Sequence, residues 1–120
     1  MAENIAGQTL TIAYPDRVAQ RATGTVVFDA TAIVAADYVE VTCGFTPRKV
    51  VWCNDTSRIE VTWREGMAAN TCIKAAAAGT RTLETTNGGV TVIEGGFRVT
   101  QNATLAAILA SQTCRWEALK

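Results

Sequence analysis

The chain has 120 residues, 11 basic and 11 acidic side chains, no histidine and a formal net charge of zero. A single core fits this length, burying roughly two thirds of the surface that the unfolded chain exposes. The balanced charge argues against a dedicated nucleic-acid binder, which needs surplus Lys and Arg on one face. Without histidine there is no Ser-His or Cys-His dyad, no His-ligated metal and no ordinary proton shuttle near neutral pH.

Ala occurs 20 times, Thr 18 times and Val 12 times, and the β-branched members of that set suit a pleated surface. Charged residues make up 18%, against about 25% in ordinary soluble domains. Either the core is large for the size or some apolar surface faces a partner; small Ala and Thr side chains build poor cores alone, which favours the second.

In chain order, residues 1–24 read as an N-terminal extension or arm. Gln8 to Tyr14 suits one short strand, and Pro15-Asp16 with the polar run Arg17 to Gly24 reads as a loop. From Thr25 the pattern is strand-like, which sets a single domain at 25–120. Val39, Val41 and Cys43 alternate with Glu40 and Thr42, the period of a half-buried strand. Lys49 to Cys53 holds Val50-Val51-Trp52, apolar on both faces and therefore a central strand. The turn residues Asn54-Asp55-Thr56-Ser57 follow, and Arg58 to Arg64 returns with Ile59, Val61 and Trp63 on one face, which makes a hairpin. Thr71 to Lys74 and Thr80 to Thr86 are extended, and Asn87-Gly88-Gly89 is a turn. Val90 to Ile93 and Phe97 to Thr100 flank Glu94-Gly95-Gly96 as a second hairpin. Ala103 to Ala110 is the one expected helix, barely two turns long, with Leu105, Ile108 and Leu109 on one face. Cys114, Trp116 and Ala118 alternate with Arg115 and Glu117 in a terminal strand. Seven to nine short strands with turns every 8–12 residues or so give an all-β fold, a small antiparallel β-sandwich or barrel with an N-terminal arm and at most one short helix.

Chemistry-bearing constellations are sparse, and no catalytic, cofactor-binding or metal-ligating residue is assigned. Ser57 is accounted for as a turn residue, and Ser111 is the one other serine. Glu40 and Glu60 fall on outward faces, where an acid–base pair has to be weighed against plain solvated strands; the second account is preferred. Gly88-Gly89 and Gly95-Gly96 are hairpin turns and not phosphate loops. Asp29, Asp37 and Asp55 are isolated, so they form no Ca²⁺ loop. Trp52, Trp63 and Trp116 fall on inward positions and read as core. Arg58, Arg64, Arg98 and Arg115 point outward, paired across strands with Glu40, Glu60 and Glu117 or free to form a charged docking surface.

No run approaches the ~20 apolar residues of a membrane span, and Met1-Ala2-Glu3-Asn4 does not open a secretory signal. Cys43, Cys53, Cys72 and Cys114 contain no Cys-x-x-Cys pair and in a reducing compartment read as buried thiols, a disulfide formed after release from a cell being the lesser alternative. The sequons at Asn54 and Asn102 carry no weight without secretion.

The stretch Cys43-Gly44-Phe45-Thr46-Pro47-Arg48-Lys49-Val50, then Arg58-Ile59-Glu60-Val61-Thr62-Trp63 and Glu65-Gly66-Met67, resembles a recurrent pattern in small structural proteins of tailed phages and prophages. Thr80-Arg81-Thr82-Leu83, Gly88-Gly89-Val90-Thr91-Val92, Gly96-Phe97-Arg98-Val99 and Trp116-Glu117-Ala118-Leu119 continue it. The resemblance covers about residues 39–119. It implies a non-enzymatic virion protein without cofactors, placed on the head as a capsid decoration (cement) protein. Its implied partners are the phage major capsid protein and copies of itself in a homotrimer, with no nucleic acid and no membrane. The implied location is the capsid surface, with the host cytoplasm during assembly. A tail or neck component is the structural alternative, and a receptor- or glycan-binding β-module using exposed tryptophan is the alternative from another class.

Overall fold

A computed structural model describes residues 8–16, 21–35 and 37–120, the first segment as backbone. Its strands are β1 (Gln8–Asp16), β2 (Arg21–Phe28), β3 (Tyr38–Thr42), β4 (Lys49–Asn54), β5 (Ile59–Arg64), β6 (Cys72–Ala75), β7 (Arg81–Glu84), β8 (Val90–Ile93), β9 (Gly96–Thr100) and β10 (Thr113–Leu119).

Alternation sets the facing of each strand. Ala22, Val26 and Phe28 of β2, Val50 and Trp52 of β4, Val61 and Trp63 of β5, and Cys114, Trp116 and Ala118 of β10 are buried. These strands lie in a seven-stranded sheet of order β1-β2-β10-β4-β5-β6-β7, and β3-β9-β8 form a second sheet. All the pairings among the described residues are antiparallel. Val39, Val41, Val90, Phe97 and Val99 of the smaller sheet join the same core, so the molecule is a two-layer β-sandwich, the first of the two all-β forms, sandwich or barrel, that the alternating pattern allows. β4, the strand apolar on both faces, is the middle strand of the larger sheet.

The centre of the core is aromatic. Trp52 and Trp116 are register partners across β4 and β10. Phe97 meets both from the other layer, with centroids 6.4 Å from Trp52 and 5.5 Å from Trp116 and interplanar angles of 78° and 70°. Such edge-on contacts add about 0.5–1.5 kcal/mol each beyond area burial. The two layers are laced by a bridge between Thr71 and Val90. Glycine is required beside it, because a Cβ on Gly89 would collide with the Thr71 backbone.

Two expectations need correction. The helix expected over Ala103 to Ala110 does not form. Asn102 Oδ1 accepts the N–H groups of Thr104 and Leu105 at 2.8 and 3.2 Å, and its carbonyl accepts that of Ala106 at 2.9 Å. After this one turn, Ala106 adopts a left-handed φ of 60°. The cause lies in burial. Leu105, Ala107 and Ile108 are all fully buried, yet positions i and i+2 do not share a helix face, and two isolated turns are marginal anyway. The segment instead forms an irregular plug of the core, and the Ala107 carbonyl accepts the Trp52 indole N–H at 3.0 Å.

The loop expected over Arg17 to Gly24 gives way to β2 at Arg21, and the boundary set at residue 25 falls inside that strand. Ala22 is fully buried, and Gly24 sits opposite Trp116 in the β2–β10 register, so both belong to the domain. The strand expected over Gln8 to Tyr14 is present as β1, which runs on through Pro15 and Asp16, expected as loop; it pairs with β2 from Gln8 to Ala13 and again at Asp16, with a register shift between them. The expected arm residues 1–7 and 17–20 lie outside the described residues.

Candidate docking face

The sandwich separates the two carboxylates weighed as an acid–base pair and read instead as solvated strand faces. Glu40 lies on β3 and Glu60 on β5, on the outer faces of different layers. Glu40 is engaged by its register partner Arg98, with Nε donating to Oε1 at 2.7 Å. Arg98 is also 4.5 Å above the Tyr38 ring. The three tryptophans are buried, so none offers a stacking platform for a sugar. Among the described residues no three metal-ligating side chains come together.

The cysteines are free thiols. Cys43, Cys72 and Cys114 are buried and Cys53 half-buried. Burial pushes Cys72 and Cys114 up to about 12. Cys53 rises to about 11, from burial first and then from Asp55 and Glu60. Each is a protonated, weak nucleophile at neutral pH. Asn54 of the first sequon is fully buried: its Nδ2 donates to Gln112 Oε1 at 2.7 Å, and its Oδ1 accepts the N–H groups of Thr56 and Ser57 at 3.1 Å. That side chain builds the β4–β5 turn.

What the fold does present is the outer face of the larger sheet. Register aligns its side chains in rows running across the strands. One row reads Leu83, Ile73, Thr62, Val51, Glu117 and Thr23. Its β4–β7 part is an apolar stripe interrupted only by Thr62, ending at Leu83, which is 61% exposed on the edge strand β7. The row on one side reads Arg81, Ala75, Glu60, Cys53 and Arg115. On the other side lie Arg64, Lys49, Leu119 and Arg21. Two shallow depressions meet at Val51. One, of about 410 Å³, lies over Thr23, Thr25, Cys53, Arg115 and Glu117. The other, of about 140 Å³, lies between Lys49, Glu60, Arg64, Ile73 and Arg81.

The charges on this face are uneven. Arg21 pairs with Glu117 at 2.6 Å and Arg115 with Asp55 at 2.7 Å. Lys49 and Arg64 are direct cross-strand partners, and like charges in that position oppose pairing. Among the described residues, neither they nor Arg81 meet a carboxylate.

Of the arginines that sequence placed outward, Arg64 and Arg115 join this face, Arg98 lies on the other layer, and Arg58 occupies the turn with a φ of 60°. Sequence reading missed Lys49, Arg81, Ile73 and Leu83. The signal for Lys49 was the hairpin register, obscured by starting the second strand at Arg58 and not at Ile59.

Comparison with protein-family models, with curated proteins and with solved structures returned no match.

Proposed function

We propose that this chain is a non-enzymatic structural protein of a tailed-phage virion, a decoration protein that docks on the capsid shell beside copies of itself. The observation that carries the reading is the outer face of the seven-stranded sheet. It holds an apolar row rimmed by charge across β4–β7, the composition of an interaction surface with a dry centre and a polar border. The resemblance over residues 39–119 supplies the virion context. A cement protein needs a rigid body and adhesive surface in excess of its core. The strands of the described residues around an aromatic core, with that face left open, suit the role. The repeated sites of a shell lattice favour a closed symmetric assembly, and a homotrimer is the expected form.

The test is to locate the chain in virions by gold-labelled antibody and electron microscopy. Label distributed over the head supports the reading. Label confined to the tail or neck, with a bare head, overturns it. Sedimentation of the purified chain tests the trimer separately.

A further inference from the structure

We infer that the β4–β7 part of this face docks an extended, acidic segment of a partner protein. Carboxylates of that segment meet Lys49, Arg64 and Arg81, and its apolar side chains lie along Val51, Ile73 and Leu83. The inference rests on the docking role proposed above and adds the chemistry of the occupant.

Charge is the first argument. Arg21, Arg48, Arg98 and Arg115 each hold a carboxylate within 4 Å, at 2.6, 3.6, 2.7 and 2.7 Å respectively. The cations of the smaller depression hold none among the described residues, although Glu60 lies within the same depression. Lys49 and Arg64 are moreover set directly opposite each other, an arrangement that weakens the ladder and that an incoming anion relieves. The zero net charge of the chain therefore conceals a locally cationic groove.

Shape is the second. The apolar stripe crosses the strands from Leu83 through Ile73 and Thr62 to Val51, three inter-strand steps or about 14 Å. That is the span of about four residues of extended chain. The groove is shallow, so it suits a strand-like segment whose alternate side chains reach the floor and the rim. A nucleic acid fits less well, because the floor is aliphatic and Glu60 stands inside the groove facing any phosphate.

The test titrates the full-length, isotope-labelled chain with a synthetic peptide of alternating glutamate and valine, followed by amide chemical shifts. Shifts centred on Lys49, Val51, Arg64, Ile73 and Leu83 are expected, and they weaken as salt is raised. The informative variant carries Lys49→Glu together with Arg64→Glu. It keeps a like-charge pair, and so the stability of the fold, while inverting the potential; affinity for the peptide falls by roughly tenfold or more. Shifts elsewhere, unchanged affinity in the double variant, or equal binding of a lysine–valine peptide or a single-stranded DNA oligonucleotide would each overturn the inference. Binding to purified capsid shells separates the two proposals. If the double variant binds shells as the unaltered chain does, the docking site is wrong and the decoration role stands. If the unaltered chain ignores shells yet binds the peptide in the groove, the role is wrong and the site stands.

Discussion

Trp52 and Trp116 face each other across the β4–β10 ladder, and Phe97 from the opposite layer stands edge-on to both. Trp52 is fully buried, and its indole N–H is held by the Ala107 carbonyl of the core plug. It therefore joins both sheets and the 101–112 segment. Trp52→Ala is expected to cost ~3–5 kcal/mol, as a large aromatic truncation in a packed core does. Urea unfolding measures it, and a loss below about 1 kcal/mol would place the indole outside the packed centre.

The register of Lys49 with Arg64 makes a second prediction, independent of any partner. Lys49→Glu replaces a like-charge pair by an opposite one at the same cross-strand site. It is expected to stabilise the fold by about 0.5 kcal/mol at low salt, with the gain shrinking as ionic strength rises. Adding Arg64→Glu is expected to cancel the gain. Thermal unfolding of the two variants and the unaltered chain completes the comparison, and a single variant no more stable than the starting chain would contradict the pairing.

Asn54 makes a third prediction. Its side chain is fully buried and satisfied by Gln112, Thr56 and Ser57. Asn54→Ala strands those partners and is expected to cost about 2–3 kcal/mol, the toll of leaving buried polar groups unpaired. Denaturant unfolding is the measurement. A neutral result would show that the turn closes without this side chain.

The sandwich was legible because strand alternation is a local signal. Val50-Val51-Trp52 marked the central strand, and Cys114, Trp116 and Ala118 marked an inward face, before any pairing was known. The plug was not legible. Its apolar residues Leu105 and Ile108 carry helical spacing, but the fold also buries Ala107 beside them, and the demand of a gap between two sheets overrode a weak local preference. The start of β2 was hidden for a related reason: Arg21 to Gly24 lacks apolar bulk, and its strand state comes from partners far along the chain, at Thr23 with Glu117 and Gly24 with Trp116. The docking face needed register. Its longest row joins residues from six separate strands, and a shift of one residue would send each side chain to the other face.

The thiols predict an alkaline limit to stability. Cys72 and Cys114 are raised from 9.0 to about 12, chiefly by burial, and Cys53 to about 11. In the unfolded chain these groups ionise near 9.0, whereas the folded state holds them protonated. The folded state thus binds more protons at pH values between 9 and about 12, and stability falls with rising pH there. Their contribution is complete below pH 9 and lost as pH rises through the folded values. Cys72→Ala with Cys114→Ala is expected to lower stability at neutral pH through lost packing and to flatten the decline above pH 9. Melting temperature against pH for both proteins is the check; parallel alkaline limbs would assign the decline to other groups.

Removal of residues 1–20 tests the edge of the larger sheet. β1 pairs with β2 from Gln8–Phe28 to Asp16–Arg21, and β2 pairs with β10 on its other side. Without β1, β2 keeps its bonds to β10 and its buried Ala22, Val26 and Phe28, so the sandwich is expected to fold with a lowered melting temperature. Its freed backbone groups then form an open edge, and sheet edges of this length recruit other strands unless blocked. The truncated chain is therefore expected to self-associate beyond the state of the full-length chain. Circular dichroism reads the fold and sedimentation velocity the association. Global unfolding of the truncated chain would show that β1 is integral to the core and more than a cover for its edge.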